Sequence, residues 1–394
     1  MSVRPELVEA SRHAAVYLIA LEAFALGMAS YVTAGLIPLI ESAFAVPVAA
    51  AAQLVTAFTL AYGLGSPVVV ALLPVQHQRA ALLVALGIFV LANVASALVS
   101  HFAWLLAFRA LAGIGSGVYL AAGIAAVATL SPSRRGRAIA VVMAGMASGT
   151  VLGVPLGLLL AERLGWASAF WSVAAFGALA LAGLAGRLPS LPAPDSVAFR
   201  RKLRLLADVR VVTILLVSLC AAIASLGMYT FIAPFLAAPE YGGVRSVTPY
   251  LWVWGIGGVL GSVLIGPIVD RVPGPVVTLL IMLMLTVALL SVPFTAAWHV
   301  SVALVPIAVW GAVGWALQVP QNNDLIHTRE PHGDGNLAVA LNESVLYLGS
   351  AIGAAGGGLM LLLHWPSWTL PVMAAAVAGT GALLQILVVT RLRR

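Results

Sequence analysis

Twelve apolar runs, each long enough to cross a bilayer, occupy most of this chain and leave it little choice of fold. They fall at about residues 14–39, 48–73, 80–100, 103–130, 138–160 and 166–186. After a polar gap they resume at about 211–237, 248–269, 275–297, 300–325, 337–363 and 367–390. In lipid every backbone N–H and C=O must be paired inside the protein, so runs of this length become helices. With 62% hydrophobic and 8% charged residues, the chain lacks the roughly 25% of charges that a soluble domain carries. The expected fold class is an all-α membrane protein with twelve transmembrane helices. The first run far exceeds the apolar stretch of a cleaved signal peptide, so it is expected to remain as a helix.

The net charge of +7 does not point to nucleic acid, because the basic residues sit in short clusters between the runs. Of the twenty Lys and Arg, seventeen fall at the termini and in alternate gaps. Only Arg163 and Arg245 occupy the other gaps, and Arg109 lies inside a run. Positive charge marks the cytoplasmic side, so both termini are expected there. The gap at 187–210 holds Pro189, Pro192 and Pro194, then the basic run FRRKLR at 199–204. It reads as a linker ending in a short surface segment. The expected domains are therefore a six-helix bundle at 1–186, a cytoplasmic linker at 187–210 and a second six-helix bundle at 211–394. Cys220 is alone, so no intrachain disulfide is available.

The two halves echo each other. The fifth run carries Gly145, Gly149, Gly153 and Gly157 four apart, with Pro155 among them, and the eleventh carries Gly349, Gly353 and Gly357. Gly65-Ser66 is matched by Gly261-Ser262, and Pro38 by Pro234. A period near 196–200 residues implies an internal repeat. Between helices in lipid, small residues permit the close contact that the hydrophobic effect does not drive. Such ladders serve either as fixed packing or as surfaces along which helices move.

Only three charges fall deep inside runs: Glu22, Glu343 and Arg109. An ionised, unpaired side chain there costs several kcal/mol, so each is a functional candidate. At 1.5 Å per residue, Glu22 lies about 13 Å and Glu343 about 9–10 Å in from the cytoplasmic ends of their runs. Arg109 lies about 9 Å from the other face, roughly 8 Å above Glu22. Either acid is placed to carry a proton, with Arg109 as a charge that tunes it. The plainer alternatives are a hydrogen-bonded carboxyl and an arginine tied to neighbouring backbone carbonyls. Glu22 is expected to be a lone protonatable carboxyl, not half of a salt bridge.

These residues resemble those of the major facilitator superfamily, in its twelve-helix drug:proton antiporter group, which includes bacterial sugar, nucleoside and chloramphenicol exporters. GTVLGVPLG (149–157) is similar to that group's antiporter signature, and FRALAGIGSG (108–117) to its arginine followed by a glycine-rich stretch. GPIVDR (266–271) with Gly274, and SPSRRGRA (131–138), are similar to two of its loops. The resemblance implies a conformational switch formed by the glycine ladders, Pro155, and a cytoplasmic latch of Gly266, Asp270 and Arg271. It also implies substrate contacts from the first, fourth, seventh and tenth helices: Phe24, Tyr31, Tyr119, Tyr229, Phe231, Trp310, Trp315 and Gln318, joined by Asn342. Three departures stand out. Pro74 and Val75 replace the first-half latch, Ala112 replaces a glutamine after Arg109, and Ser30-Tyr31 stands where many relatives carry an acid.

The expected function is proton-coupled export of a small organic molecule by alternating access. A facilitator, a proton symporter and a non-transporting receptor are the alternatives. The histidines lack metal-ligand spacing and no phosphate-binding glycine loop occurs, so neither an enzyme nor a cofactor is expected. The expected partners are a small-molecule substrate, protons and the bilayer of a bacterial inner membrane, with the chain acting as a monomer.

Overall fold

The computed structural model describes residues 5–66, 68–69, 78–131, 135–189, 205–329 and 335–392. Pro74, Val75, Arg134, the 199–204 basic run, Glu330 and Asp334 lie outside them. The architecture is all-helical. In chain order come α1 (Pro5–Phe44), α2 (Val48–Leu60), α3 (Gln78–Leu98), α4 (Phe102–Leu130), α5 (Arg135–Ser148), α6 (Val154–Leu164) and α7 (Ala167–Arg187). Then follow α8 (Val209–Ala237), α9 (Thr248–Val269), α10 (Gly274–Trp298), α11 (Leu304–Ala316), α12 (Gln318–Arg329), α13 (Gly335–Leu362) and α14 (Thr369–Leu392). Among the described residues, eleven stretches are long and apolar enough to cross a membrane. The protein is a multi-pass membrane protein.

Two departures from regular helix occur in the first half. α2 runs into a π-turn at Ala61–Gly65, and α5 joins α6 through a π-turn at Gly149–Gly153. Along the tenth apolar run a single residue, Leu317, separates α11 from α12 while keeping helical backbone angles. Pro320, in the first turn of α12, has no N–H to offer the Ala316 carbonyl, so one rung of the helical ladder is missing there.

The chain divides into two compact units, one of residues 1–39 and 57–196, the other of 40–56 and 197–394. Within the second unit Gly358 leaves room for the Gln53 amide. Ile19, Leu26, Met28, Phe58, Phe89 and Phe170 form the first core. Trp254, Trp310, Phe231 and Phe235 anchor the second. Leu91, Val263, Val287 and Phe294 are exposed, as lipid-facing side chains are.

Candidate functional site

Glu22 is fully buried on α1 in the first unit. Gly177 of α7 makes room for it: a Cβ there would stand 3.2 Å from Glu22 Oε2 and 2.9 Å from Val90 Cγ2 of α3. Neither carboxyl oxygen has a hydrogen-bond partner among the described residues. Tyr119 of α4 is also fully buried, lies within electrostatic reach of the carboxyl, and has a hydroxyl without a partner among the described residues. Phe24, two residues from Glu22, meets Phe176 of α7 edge-on at 5.1 Å. The acid therefore sits in an apolar chamber between α1, α3, α4 and α7.

Arg109 is likewise fully buried. One Nη donates to the Ala29 carbonyl of α1 at 2.8 Å, while Nε and the other Nη have no partner among the described residues. The guanidinium carbon lies 4.4 Å from the Phe58 ring centre and 5.4 Å from that of Phe170. No hydrogen bond or ion pair joins Arg109 to Glu22. Ala29 lies seven residues beyond Glu22, about 10 Å along the helix. The glycine-rich stretch after Arg109 wedges α4 between neighbours: Gly113 abuts the Phe58 carbonyl of α2, and Gly115 abuts α3 at Ala85 and Phe89.

The ladders make matching contacts in each unit. Gly145 and Gly149 press on the Ala20 and Phe24 carbonyls of α1, and Gly153 and Gly157 on Met28. From the other side, Gly27 of α1 presses on the Met146 carbonyl. Pro155 is buried at the start of α6. In the second unit, Gly349 and Gly353 lie against α8 at Ala222, Ile223 and Gly227, and Gly357 against the Phe231 ring. A side chain at most of these positions would meet backbone, so the glycines set the helix separation.

In the second unit Trp254 of α9 is the hub of an aromatic cluster. Its ring centre is 4.5 Å from Tyr229, 6.1 Å from Trp310 and 5.8 Å from Trp315. Trp310 donates through Nε1 to Ser225 Oγ at 2.8 Å. Of the expected substrate contacts, Tyr119, Tyr229, Phe231, Trp310 and Asn342 are buried, Phe24, Tyr31 and Trp315 are half-buried, and Gln318 is exposed. Asn342 donates to Asn322 Oδ1 at 2.9 Å, and Glu343 beside it is half-buried. A Cβ at Gly266 would meet nothing among the described residues, and Asp270 and Arg271 are both exposed. Sequence reasoning missed Phe58, Phe170 and Trp254, which are far from Arg109 or from one another along the chain. A cavity of about 290 Å³ lined by Pro47, Pro234, Phe235, Leu361, His364 and Leu370 contains none of the candidate residues.

The family model of the Major Facilitator Superfamily matches residues 19–354. The inner membrane transport protein YdhP of Escherichia coli (strain K12) is 30% identical over 368 residues, 93% of each chain. A chloramphenicol resistance protein of Streptomyces lividans is 32% identical over 269 residues, 66% of this chain and 68% of that one. Among solved structures, the nucleoside transporter NupG superposes with a TM-score of 0.76 at 12% identity, covering 96% of this chain and 99% of that one. A D-xylose–proton symporter superposes with a TM-score of 0.74 at 16% identity, covering 95% and 97%.

Proposed function

Because the chain belongs to the Major Facilitator Superfamily and is a membrane transporter of small molecules, we propose that it is a proton-coupled exporter of a small organic solute. The observation that carries this reading is the Glu22 carboxyl, wholly buried with neither oxygen partnered among the described residues. An ionised group so enclosed costs several kcal/mol. Glu22 therefore travels through the closed state with its proton and gives it up when a change of conformation admits water. Glu343 is the second acid of the cycle, and Arg109 is the fixed positive charge on the same helix bundle.

Proton and substrate drive the cycle by preferring different conformations, since a ligand shifts an equilibrium only through differential affinity. The glycine ladders are the surfaces along which α1 shifts on α5 and α6, and α8 on α13. Gly266, Asp270 and Arg271 latch one end. Both termini face the cytoplasm of a bacterial cell, and the protein works as a monomer in the inner membrane. Export rather than uptake is favoured by the relative named for chloramphenicol resistance.

The test is chloramphenicol flux in proteoliposomes under an imposed pH gradient, compared between the natural protein and Glu22→Gln. The natural protein should move solute against the proton flow. Glu22→Gln should lose gradient-driven flux while keeping solute exchange. Undiminished gradient-driven flux in the variant would sink the proposal.

A further inference from the structure

The seam between α8 and α13 is closed by glycine and then opens. Gly357 of α13 abuts the Phe231 ring of α8. At Gly358 beside it, a Cβ would stand 2.7 Å from Gln53 Nε2 and 3.3 Å from the Ala49 carbonyl oxygen of α2. One helical turn further on, Leu361 follows Gly357 and Phe235 follows Phe231. Leu361 and Phe235 both line the cavity of about 290 Å³, together with Ala49 and, from α14, Leu370. Every described residue lining it falls within the second unit. The cavity thus lies where the close packing of the ladder ends, at the end of α8 remote from Asp208.

Its lining is apolar except along one edge. Of the described residues that form it, only His364 and Ser367 carry polar side chains, and none carries a carboxylate, an ammonium or a guanidinium. The Phe235 ring is buried and stacked on Tyr241 with ring centres 4.3 Å apart, which fixes it in the wall. Ser367 Oγ donates to Glu240 Oε1 at 3.1 Å. His364 closes α13: its N–H donates to the Leu361 carbonyl and the Trp365 N–H to the Met360 carbonyl, each at 3.0 Å. Its φ of 59° is a left-handed conformation that glycine usually supplies at a helix end. The chain holds a histidine there instead, and that histidine lines the cavity.

These features select a ligand by size and polarity. Water is held poorly against such walls, because a buried water needs several polar partners. An apolar cavity of about 150 Å³ holds benzene, so about twice that volume takes about a dozen non-hydrogen atoms. An ion would shed its hydration against apolar walls with no opposite charge among the lining side chains. We propose that the cavity binds a small uncharged solute, an apolar ring skeleton carrying a single hydroxyl that hydrogen-bonds to His364 or Ser367. The site goes beyond the proton-coupled cycle: none of the candidate residues of that cycle lines it, and its occupancy is measured without flux.

Thermal shift of the purified full-length protein in detergent tests this. Thymol and carvacrol are members of the class. Cymene lacks the hydroxyl, cuminate is an anion, cuminylamine is a cation at neutral pH, and triphenylmethanol is too large for the cavity. At least one member should raise the thermal midpoint saturably, with an apparent Kd about tenfold or more below that of the other four probes. Leu361→Trp fills the space and should abolish that shift, while His364→Ala combined with Ser367→Ala should reduce binding to the level of cymene. In a Cys220→Ser background, the bound member should also slow maleimide labelling of Pro47→Cys, a measurement that stands even if Leu361→Trp misfolds. No saturable shift by either member, an undiminished shift in Leu361→Trp, or unchanged labelling of Pro47→Cys overturns the site. Cymene binding as tightly as thymol would make the cavity a seat for hydrocarbon such as a lipid chain, and also overturns it.

Discussion

The Arg109 guanidinium lies 4.4 Å from the centre of the Phe58 ring, with both side chains fully buried. A desolvated cation over an aromatic face gains about 2 kcal/mol beyond apolar packing. Phe58→Leu keeps most of the apolar volume but removes the π face. It should lower thermal stability in detergent, whereas the same change in an Arg109→Met background should cost about 1–2 kcal/mol less. A Phe58→Leu effect of equal size in both backgrounds would reduce the contact to ordinary packing.

What the sequence made legible is what the bilayer imposes. Run length and composition gave the helices, because lipid allows no other spanning structure for such segments. Glu22 and Arg109 stood out because so few charges survive at depth. The division at Leu317 was hidden because its residues remain apolar up to Ala316. The signal was Pro320 between Gln318 and Gln321, where the apolar run gives way to the polar stretch QVPQNND. The π-turns at Ala61–Gly65 and Gly149–Gly153 carry no comparable mark, since glycine and small residues serve regular helices in lipid equally well. The rings beside Arg109 come from α2 and α7, and pairing of distant helices is not written in any local pattern.

The glycines of these helices differ sharply in what they tolerate. A methyl group at Gly149 would collide with the Phe24 backbone, which cannot rotate away, whereas one at Gly356 or Gly266 would meet nothing within 4 Å among the described residues. Gly149→Ala should therefore destabilise the protein by about 1–3 kcal/mol and lower its yield. Gly356→Ala should be neutral or stabilising by up to about 1 kcal/mol through better helix propensity. Thermal melts of the two variants side by side check this, and equal effects would remove the close-contact account of the ladder.

Asp208 caps α8 just outside the membrane-crossing stretch. One carboxylate oxygen accepts from the Arg210 backbone N–H and the other from the Arg329 guanidinium, each at 3.0 Å. Partial burial pushes its carboxyl up, but the Arg210 amide, the Arg329 guanidinium and the Val211 amide outweigh that and hold it below its ordinary value. A depressed folded-state value means stability that is present above the ordinary Asp value, about 3.9, and is lost as the pH falls through the folded one. Asp208→Ala should cost about 1 kcal/mol at neutral pH, the usual worth of a helix cap. The gap to the natural protein should close below about pH 4. A gap that persists unchanged in acid would assign the loss to packing rather than to the ionised cap.

Glu22 allows stability and transport to be separated in one substitution. Its two oxygens are buried without hydrogen-bond partners among the described residues, with Gly177, Val90 and Phe89 close by and the Tyr119 hydroxyl within electrostatic reach. Replacing both unsatisfied oxygens by apolar atoms removes a desolvation penalty of about 1–3 kcal/mol. Glu22→Leu is therefore expected to raise the thermal midpoint of the purified protein while abolishing gradient-driven flux. Proteins commonly keep such a destabilising group where function needs it. A lower midpoint in Glu22→Leu would mean that the carboxyl holds the bundle together, and loss of transport could then be read as loss of structure. A raised midpoint with intact flux would show that the buried acid neither supports the fold nor carries the proton.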